Sequence, residues 1–186
     1  MCIVNETPEI HFHQTTTLTP QQFVAGLTDF GPGRSQLFSN NADEHLKVHH
    51  HGWLEADVTE GSGGTWERLH YDWSDPNRAV LTTIDSNVWG GASGQTYTFT
   101  RHTNGITDID LLVVREGKNL KGRLLGIVLR TIGRHVLERA FENSVKAIEA
   151  RNGKFENHEL KPPPIPEARR AALQCTCAVT NIAQRS

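Results

Sequence analysis

Two glutamates, two tyrosines and an arginine lie where their polar groups could contact a bound molecule. Each falls, by the two-residue alternation of its segment, on a face that otherwise carries apolar side chains; they are Glu60, Glu67, Tyr71, Tyr97 and Arg115. A charged group on a buried face must be paired or must lose its charge. The pattern therefore predicts a site in which Glu60 or Glu67, with a tyrosine or Arg115, orients a ligand or moves a proton.

Ordinary ion pairs at strand ends would produce the same pattern, and we favour them over a catalytic role. Arg101 is a further arginine that alternation places on an inward face. Trp66, Trp73 and Trp89 are likewise more typical of core and rim packing than of a binding cage. Trp73 continues the inward face of its strand, so it joins the candidate ligand-binding residues. No catalytic residue is predicted.

The composition excludes several classes of protein. The 186 residues include 37% hydrophobic and 22% charged side chains and carry a formal net charge of -2, values typical of a globular domain. The sequence has neither a broad basic character suited to nucleic acid nor an apolar run long enough to span a bilayer. Its first residues lack a secretory signal pattern. We therefore expect no nucleic acid partner, no membrane insertion and a cytoplasmic location.

Sequence motifs for metal, phosphate or nucleophile chemistry are missing. Cys175 and Cys177 form too short a pattern for a zinc site without partners, and Cys2 lies far from them in the sequence. The stretch 61–64 is glycine-rich, but a strand pattern follows it, so it predicts a hairpin turn and not a phosphate cradle. We expect no metal and no cofactor.

The candidate residues lie on a series of short alternating segments. A first strand is predicted at 10–18, and a short helix begins at Thr19-Pro20-Gln21-Gln22, a capping-box sequence with proline in the first turn. Turn residues separate six further strands, predicted near 46–51, 53–60, 65–73, 79–85, 95–101 and 106–115. Links this short favour an antiparallel meander.

Alternation along these strands also predicts which apolar side chains point inward. The predicted lining includes Val48, Leu54, Val80 and Ile84. A bulge that shifts the count by one residue would reverse such an assignment.

One long helix is predicted at 118–151. Residues at helical spacing predict a buried stripe along it: Leu120, Leu124, Val128, Ile132, Val136, Ala140, Ser144 and Ile148. Gly122, Gly126 and Gly133 share one side of this helix. Because glycine in a helix costs up to about 1 kcal/mol relative to alanine, we expect close packing or free space beside them.

The chain divides into a domain at 1–152 and a C-terminal tail at 153–186. The tail begins after Asn152-Gly153 and contains the run Pro162-Pro163-Pro164-Ile165-Pro166. It has no periodic apolar pattern, so a largely irregular tail is predicted.

The order of these elements resembles the helix-grip fold of the START-like, polyketide cyclase/dehydrase superfamily (SRPBCC). The segments that carry the resemblance are Thr19-Pro20-Gln21-Gln22-Phe23, Ala56-Asp57-Val58-Thr59-Glu60-Gly61-Ser62, Trp66-Glu67-Arg68-Leu69 and Arg115-Glu116-Gly117-Lys118-Asn119-Leu120-Lys121-Gly122. The resemblance covers about residues 9–151. It implies an α+β fold in which a curved antiparallel sheet of about seven strands, with a short helical insertion after the first, wraps around a long C-terminal helix.

The resemblance also implies an elongated apolar cavity between the sheet and the long helix. Members of the superfamily bind lipids, sterols or other hydrophobic ligands, and some are cyclases, dehydratases or aromatases. Our leading hypothesis is a carrier of a hydrophobic small molecule or lipid, with Gly122 and Gly126 leaving room for it. The alternatives are a cyclase or dehydratase that uses an inward Glu or Tyr as acid or base, and a partner-binding module without a ligand.

Four histidines form a second hypothesis. His11 and His13 share one face of the first strand, and His49 and His51 share one face of the second. In the resembled fold these strands are antiparallel neighbours, so the four imidazoles could together hold Zn²⁺ or Ni²⁺. We favour a surface patch with adventitious metal affinity, because no motif supports a catalytic metal site.

Overall fold

A computed structural model describes residues 9–38, 45–131 and 133–159. Along these residues run β1 (Glu9–Thr16), α1 (Pro20–Leu27), α2 (Arg34–Leu37), β2 (Lys47–His51), β3 (Glu55–Ser62), β4 (Thr65–Asp72), β5 (Arg78–Ser86), β6 (Trp89–Arg101), β7 (Thr107–Gly117), α3 (Leu120–Arg130) and α4 (Gly133–Glu159). The strands form one antiparallel sheet in the order β1-β7-β6-β5-β4-β3-β2. Residues 160–186 of the predicted tail and all three cysteines lie outside the described residues.

Helix α1 begins where the capping sequence predicts. Thr19 Oγ1 accepts a hydrogen bond from the Gln22 amide at 3.2 Å, and Gln22 Oε1 accepts one from the Thr19 amide at 2.8 Å. This reciprocal pair satisfies two amides that a helix start otherwise leaves without partners. The helix buries Phe23 and Leu27 in the core, so the capping box positions one wall of the cavity described below.

The turn between β3 and β4 is the tight hairpin that the glycine run predicts. Gly63 and Gly64 both have positive φ, 57° and 77°, which a two-residue type I′ turn requires. The turn fixes the register in which Glu60 lies opposite Glu67. Both carboxylates consequently lie on the same face of the sheet.

The predicted helix at 118–151 is two helices, α3 and α4. Asn119 caps α3 by accepting a hydrogen bond from the Gly122 amide at 2.8 Å, and Thr131 leaves the helical conformation with φ −98° and ψ −87°. The predicted end at Asn152-Gly153 is also wrong, because α4 continues to Glu159. A single glycine costs a helix only about 1 kcal/mol, which does not suffice to stop it.

The predicted buried stripe is wrong in α3 and at Val136 in the first turn of α4, and it is correct farther along α4. Ser144 and Ile148 are buried, whereas Leu120, Leu124, Val128 and Val136 are exposed; Ile132 lies outside the described residues. Because the break at Thr131 uncouples the two helices, one helical repeat cannot describe both. Helix α3 instead turns Gly122 and Gly126 toward the protein.

The inward face of β5 is the opposite of the predicted one. Ala79 and Leu81 are buried, whereas Ile84 is exposed and Val80 is only partly buried. Leu81 pairs opposite Tyr71, and directly opposite residues of an antiparallel pair share a face. Because β5 is apolar on both faces, its pairing with β4 decides which of its side chains point inward. Val48 and Leu54, also predicted to point inward, are exposed.

The four-histidine hypothesis is wrong, because β1 and β2 are not neighbours. They lie at opposite edges of the sheet, where β1 pairs with β7 and β2 pairs with β3. His13 instead bonds Asp110 through Nδ1 at 2.9 Å, and His49 bonds Thr59 at 2.8 Å. In the described part of the chain, no three His, Cys, Asp or Glu side chains converge as a metal site would require.

Helices α1 and α4 cover one face of the sheet. The Phe141 ring of α4 lies 6.5 Å from the Phe12 ring and 6.2 Å from the Tyr97 ring, and the Phe23 ring of α1 lies 5.7 Å from Tyr97. Tilted aromatic contacts at such distances stabilise a core beyond the area they bury. No described helix is long and apolar enough to cross a bilayer.

Candidate functional site

A cavity of about 290 Å³ lies between the sheet and the helices. Its walls are mostly apolar and include Phe12, Phe23, Leu69, Leu81, Trp89, Leu111, Val113, Leu125, Leu129, Leu137 and Phe141. The volume is close to the lower end of the range of about 300–1,000 Å³ that is typical of ligand sites. The cavity therefore has room for a compact organic molecule.

One end of the cavity is closed by a buried ion pair. Arg34 Nε donates to Glu60 Oε1 at 2.6 Å, and Arg34 Nη2 donates to the Tyr71 hydroxyl at 3.0 Å. Arg34 Nη1 donates to the carbonyls of Leu27 and Asp29 at 2.9 and 3.0 Å. The guanidinium is thereby held from four directions, so this end of the cavity has a preorganised polar lining.

Aromatic rings enclose the same guanidinium. Its central carbon lies 4.9 Å from the centre of the Phe30 ring and 4.7 Å from that of Phe38, which are favourable cation–π distances. Burial alone would lower the pKa of Arg34, but Tyr71 and Glu60 outweigh that effect and the pKa is raised. Arg34 consequently stays charged and acts as a fixed cation in the core.

A second polar group lies in the cavity wall on β4 and β7. Arg115 Nη1 donates to Glu67 Oε1 at 3.1 Å, and the Thr83 hydroxyl donates to the same oxygen. The guanidinium of Arg115 also lies 5.6 Å from the Trp89 ring. Glu67 and Arg115 are more exposed than Arg34 and Glu60, so this pair can meet a polar group on an entering molecule.

The two tyrosines act as hydrogen-bonding groups and not as bases at neutral pH. Burial, followed by the negative charge of Glu60, holds the pKa of Tyr71 well above 10. Burial also raises the pKa of Tyr97, against the opposing effect of Arg34. The Tyr97 hydroxyl donates to Gln95 Oε1 at 3.2 Å. Both phenols therefore keep their protons at neutral pH. Of the two carboxylates in the cavity wall, Glu67 is more exposed than Glu60.

We expect an ultraviolet titration of tyrosinate to show no ionisation near pH 10 in the folded protein. Tyr71 and Tyr97 are the only tyrosines, so the signal reports on the cavity alone. In urea both should titrate near their ordinary pKa of 10.0. Because the folded pKa values lie above the unfolded ones, their stabilising contribution is complete below pH 10 and is lost as the pH rises through the folded values. A step near pH 10 without urea would contradict the burial of both rings.

Five of the eight predicted site residues line the cavity: Glu60, Glu67, Tyr71, Tyr97 and Arg115. Trp73 lies in a separate surface hollow beside Trp53 and α1. Arg101 is exposed and bonds the Thr17 and Leu18 carbonyls. Sequence reasoning missed Arg34 and Gln95. Arg34 follows Gly31-Pro32-Gly33, where no alternation indicates a face, whereas Gln95 shares its face with Tyr97 and could have been found.

Gly122 and Gly126 are not among the residues that line the cavity, and Gly122 packs α3 closely against the Val88 carbonyl. A Cβ at Gly122 would lie 2.1 Å from the Val88 carbonyl oxygen, so only glycine allows this approach. A Cβ at Gly126 would meet only the Trp89 ring, at 4.0 Å. Close packing therefore explains the glycine at 122, whereas space for a methyl group remains beside Gly126.

We expect Gly122→Ala to destabilise the protein by about 1–3 kcal/mol, since the added methyl group overlaps backbone. Gly126→Ala on the same helix is the matched control and should be neutral or stabilising by up to about 1 kcal/mol, because alanine favours the helix. Urea denaturation measures both. Equal effects of the two substitutions would contradict the close approach at Gly122.

Comparisons with known proteins support the fold. No family model matches the sequence, and no curated protein matches it. Among solved structures, a START superfamily protein from Mycobacterium smegmatis aligns with a TM-score of 0.58 and 10% identity, over 79% of this chain and 98% of that one. The Zhui aromatase/cyclase from Streptomyces sp. R1128 aligns with a TM-score of 0.58 and 13% identity, over 77% and 92%.

A norcoclaurine synthase from Thalictrum flavum is also similar, with a TM-score of 0.55 and 11% identity over 76% of this chain and 93% of that one. Identities this low establish the fold alone. The chain has the START-like helix-grip fold, as its sequence predicts: an antiparallel sheet of seven strands against a long C-terminal helix.

Proposed function

We propose that the cavity binds one compact apolar molecule that carries an oxygen-bearing polar group. The observation that supports this most is the cavity itself, a mostly apolar space of about 290 Å³ between the sheet and the helices. Folded cores are close-packed, so a space of this size reduces stability unless something occupies it. Burial of apolar ligand surface supplies the driving force.

The polar residues of the wall favour a ligand with an oxygen at one end. Arg115 carries five N–H donors, and it lies with Glu67 at the more exposed part of the wall. A carbonyl, carboxyl or phenol oxygen would be recognised by this guanidinium, and a hydroxyl by the carboxylate. Tyr97 and Gln95 add a second donor and acceptor nearby.

Mass spectrometry under native and denaturing conditions tests the proposal on the protein as purified. We expect a discrete additional mass under native conditions that disappears on denaturation. Binding of anilinonaphthalene sulfonate and of a fluorescent fatty acid then tests whether the emptied cavity is saturable with one molecule per chain. The bare chain mass together with no saturable binding of either probe would overturn the proposal.

Glu67 favours a second candidate function, an enzyme of the cyclase or dehydratase type. Its carboxylate lines the cavity beside Arg115 and Thr83, where it could accept or donate a proton to a bound molecule. A bound molecule recovered lighter by one water, with the loss abolished in Glu67→Gln, would support the enzyme. Recovery of the unchanged molecule after binding would support the carrier.

A further inference from the structure

Helix α3 has a second apolar face that points away from the protein. Leu120, Leu124 and Ile127 are 84%, 62% and 61% exposed. Their spacing of four and three residues places them on one side of the helix, with Val128 beside them. We call these four residues the outer stripe.

The inner face of α3 already has its partners within the protein. Gly122 packs against the Val88 carbonyl, Gly126 is buried, and Leu125 and Leu129 line the cavity. The outer stripe is therefore apolar surface in addition to what the fold needs. Single exposed apolar residues are common, but a contiguous row on one helix marks an interaction site.

The charge around the outer stripe is positive. From 118 to 137 the sequence contains five lysines and arginines and no aspartate or glutamate, in a chain whose formal net charge is -2. At about 100° per residue, Lys121 lies on one side of the outer stripe and Arg123 on the other. Long cationic side chains that flank an apolar row can reach outward while their stems extend it.

Few acidic groups oppose this charge in the described residues. Asp85 faces Lys118, with 3.3 Å between its Oδ1 and Nζ. Glu116 lies near the end of β7 and accepts a hydrogen bond from the Ala92 amide. Glu138 faces His135 at 3.8 Å. Among the described residues no carboxylate pairs with Lys121 or Arg123, so the outer stripe keeps a positive charge on each side.

We propose that the outer stripe docks on the surface of an anionic lipid bilayer, with α3 lying parallel to it. An apolar row between lysines and arginines is the pattern of helices that lie in the membrane interface. Each basic residue near an anionic surface contributes about 1 kcal/mol of attraction. This is peripheral docking, and it is compatible with the absence of a spanning helix among the described residues.

Charge favours a bilayer over two other occupants. A second copy of the chain in a two-fold arrangement would bring the same cationic segment against itself. The C-terminal stretch 153–186 contains five lysines and arginines against three glutamates, so it is also positive. An anionic surface complements the outer stripe, whereas both of these would repel it.

Docking through α3 would place one wall of the cavity against the lipid. Leu125 and Leu129 lie on the other side of the same helix and line the cavity. Trp66, which is 40% exposed, also lines the cavity. Lys121 joins α3 to the neighbouring turn between β3 and β4, because its Nζ lies 3.4 Å from the Gly64 carbonyl oxygen. In this position the cavity could exchange a ligand with the bilayer. That exchange rests on the proposed function, whereas docking of α3 does not.

Vesicle co-sedimentation of the full chain tests the proposal. We expect binding to phosphatidylcholine vesicles that contain about 30% phosphatidylserine and little binding to phosphatidylcholine alone. Raising the salt from about 0.1 M to about 1 M shortens the screening length from about 10 Å to about 3 Å and should release most of the protein. Leu124→Glu with Ile127→Glu should weaken binding by at least about 100-fold.

Two valines of almost equal exposure supply a matched control. Val128 of the outer stripe is 44% exposed, and Val48 of β2 is 42% exposed. Val128→Glu should weaken vesicle binding by about tenfold, and Val48→Glu by less than about twofold. Both valines are partly exposed to the same extent, so we expect both variants to fold, and circular dichroism checks this.

Four results would overturn the proposal. Three concern vesicles: no binding of the wild type to anionic vesicles, binding that does not depend on lipid charge and salt, or equal effects of the two valine variants. The fourth is a dimer that forms without lipid and that Val128→Glu, but not Val48→Glu, dissociates. The last would assign the outer stripe to a second copy, and sedimentation velocity detects it. Ala140→Phe, which fills the cavity, should leave vesicle binding unchanged, so failure of ligand binding and failure of docking are distinguishable.

Discussion

Replacing Arg34 by methionine should lower the free energy of unfolding by about 3–5 kcal/mol. The substitution keeps an apolar stem of similar length but removes the cation that faces the buried Glu60 carboxylate at 2.6 Å. It also removes the donors to the Leu27 and Asp29 carbonyls. Urea denaturation followed by circular dichroism measures the loss as a lower midpoint at constant slope.

Two controls separate the buried charge from loss of an ion pair in general. Arg68→Met removes a partly exposed contact to Asp57 at 3.3 Å and should cost no more than about 1 kcal/mol. Arg34→Met combined with Glu60→Gln should recover part of the loss, because the amide carries no charge to bury. Equal effects of the Arg34 and Arg68 substitutions would contradict the assignment of Arg34 to a buried, structural position.

Filling the cavity with Ala140→Phe should abolish ligand binding, with an expected loss of affinity of at least about 100-fold. Ala140 lies on α4 in the cavity wall, and a phenyl ring there occupies much of the space of about 290 Å³. A ligand cannot share that space, since close-packed cores do not yield to an added ring without strain. Titration with anilinonaphthalene sulfonate and the native mass spectrum measure the loss.

Ala150→Phe is the matched control for this variant. Ala150 lies on the same helix but is exposed, so the same added ring should leave binding within about twofold of the wild type and stability within about 0.5 kcal/mol. Retention of ligand by a folded Ala140→Phe protein would show that the ligand binds elsewhere. Urea denaturation of both variants establishes that each is folded when binding is measured.

Local patterns in the sequence were sufficient for the order of the strands and for the sheet face on which several cavity residues lie. The Thr19 and Gln22 capping box and the glycine turn at 61–64 depend only on neighbouring residues, and both are present as predicted. Alternation places Glu60, Glu67 and Tyr71 on one face of β3 and β4, because the side chains of a strand alternate whatever it packs against. The hairpin turn then keeps the two strands in register.

Contacts between distant parts of the chain decided the rest. Leu81 points inward because it pairs opposite Tyr71, and a strand that is apolar on both faces has no local signal for that choice. Arg34 reaches Glu60, 26 positions along the chain, from a glycine-rich segment without periodicity. The outer stripe is apolar at helical spacing and resembles core in the sequence. Only the packing of Gly122 against the Val88 carbonyl turns it outward, because a helix side without Cβ atoms can approach the sheet more closely than a row of leucines.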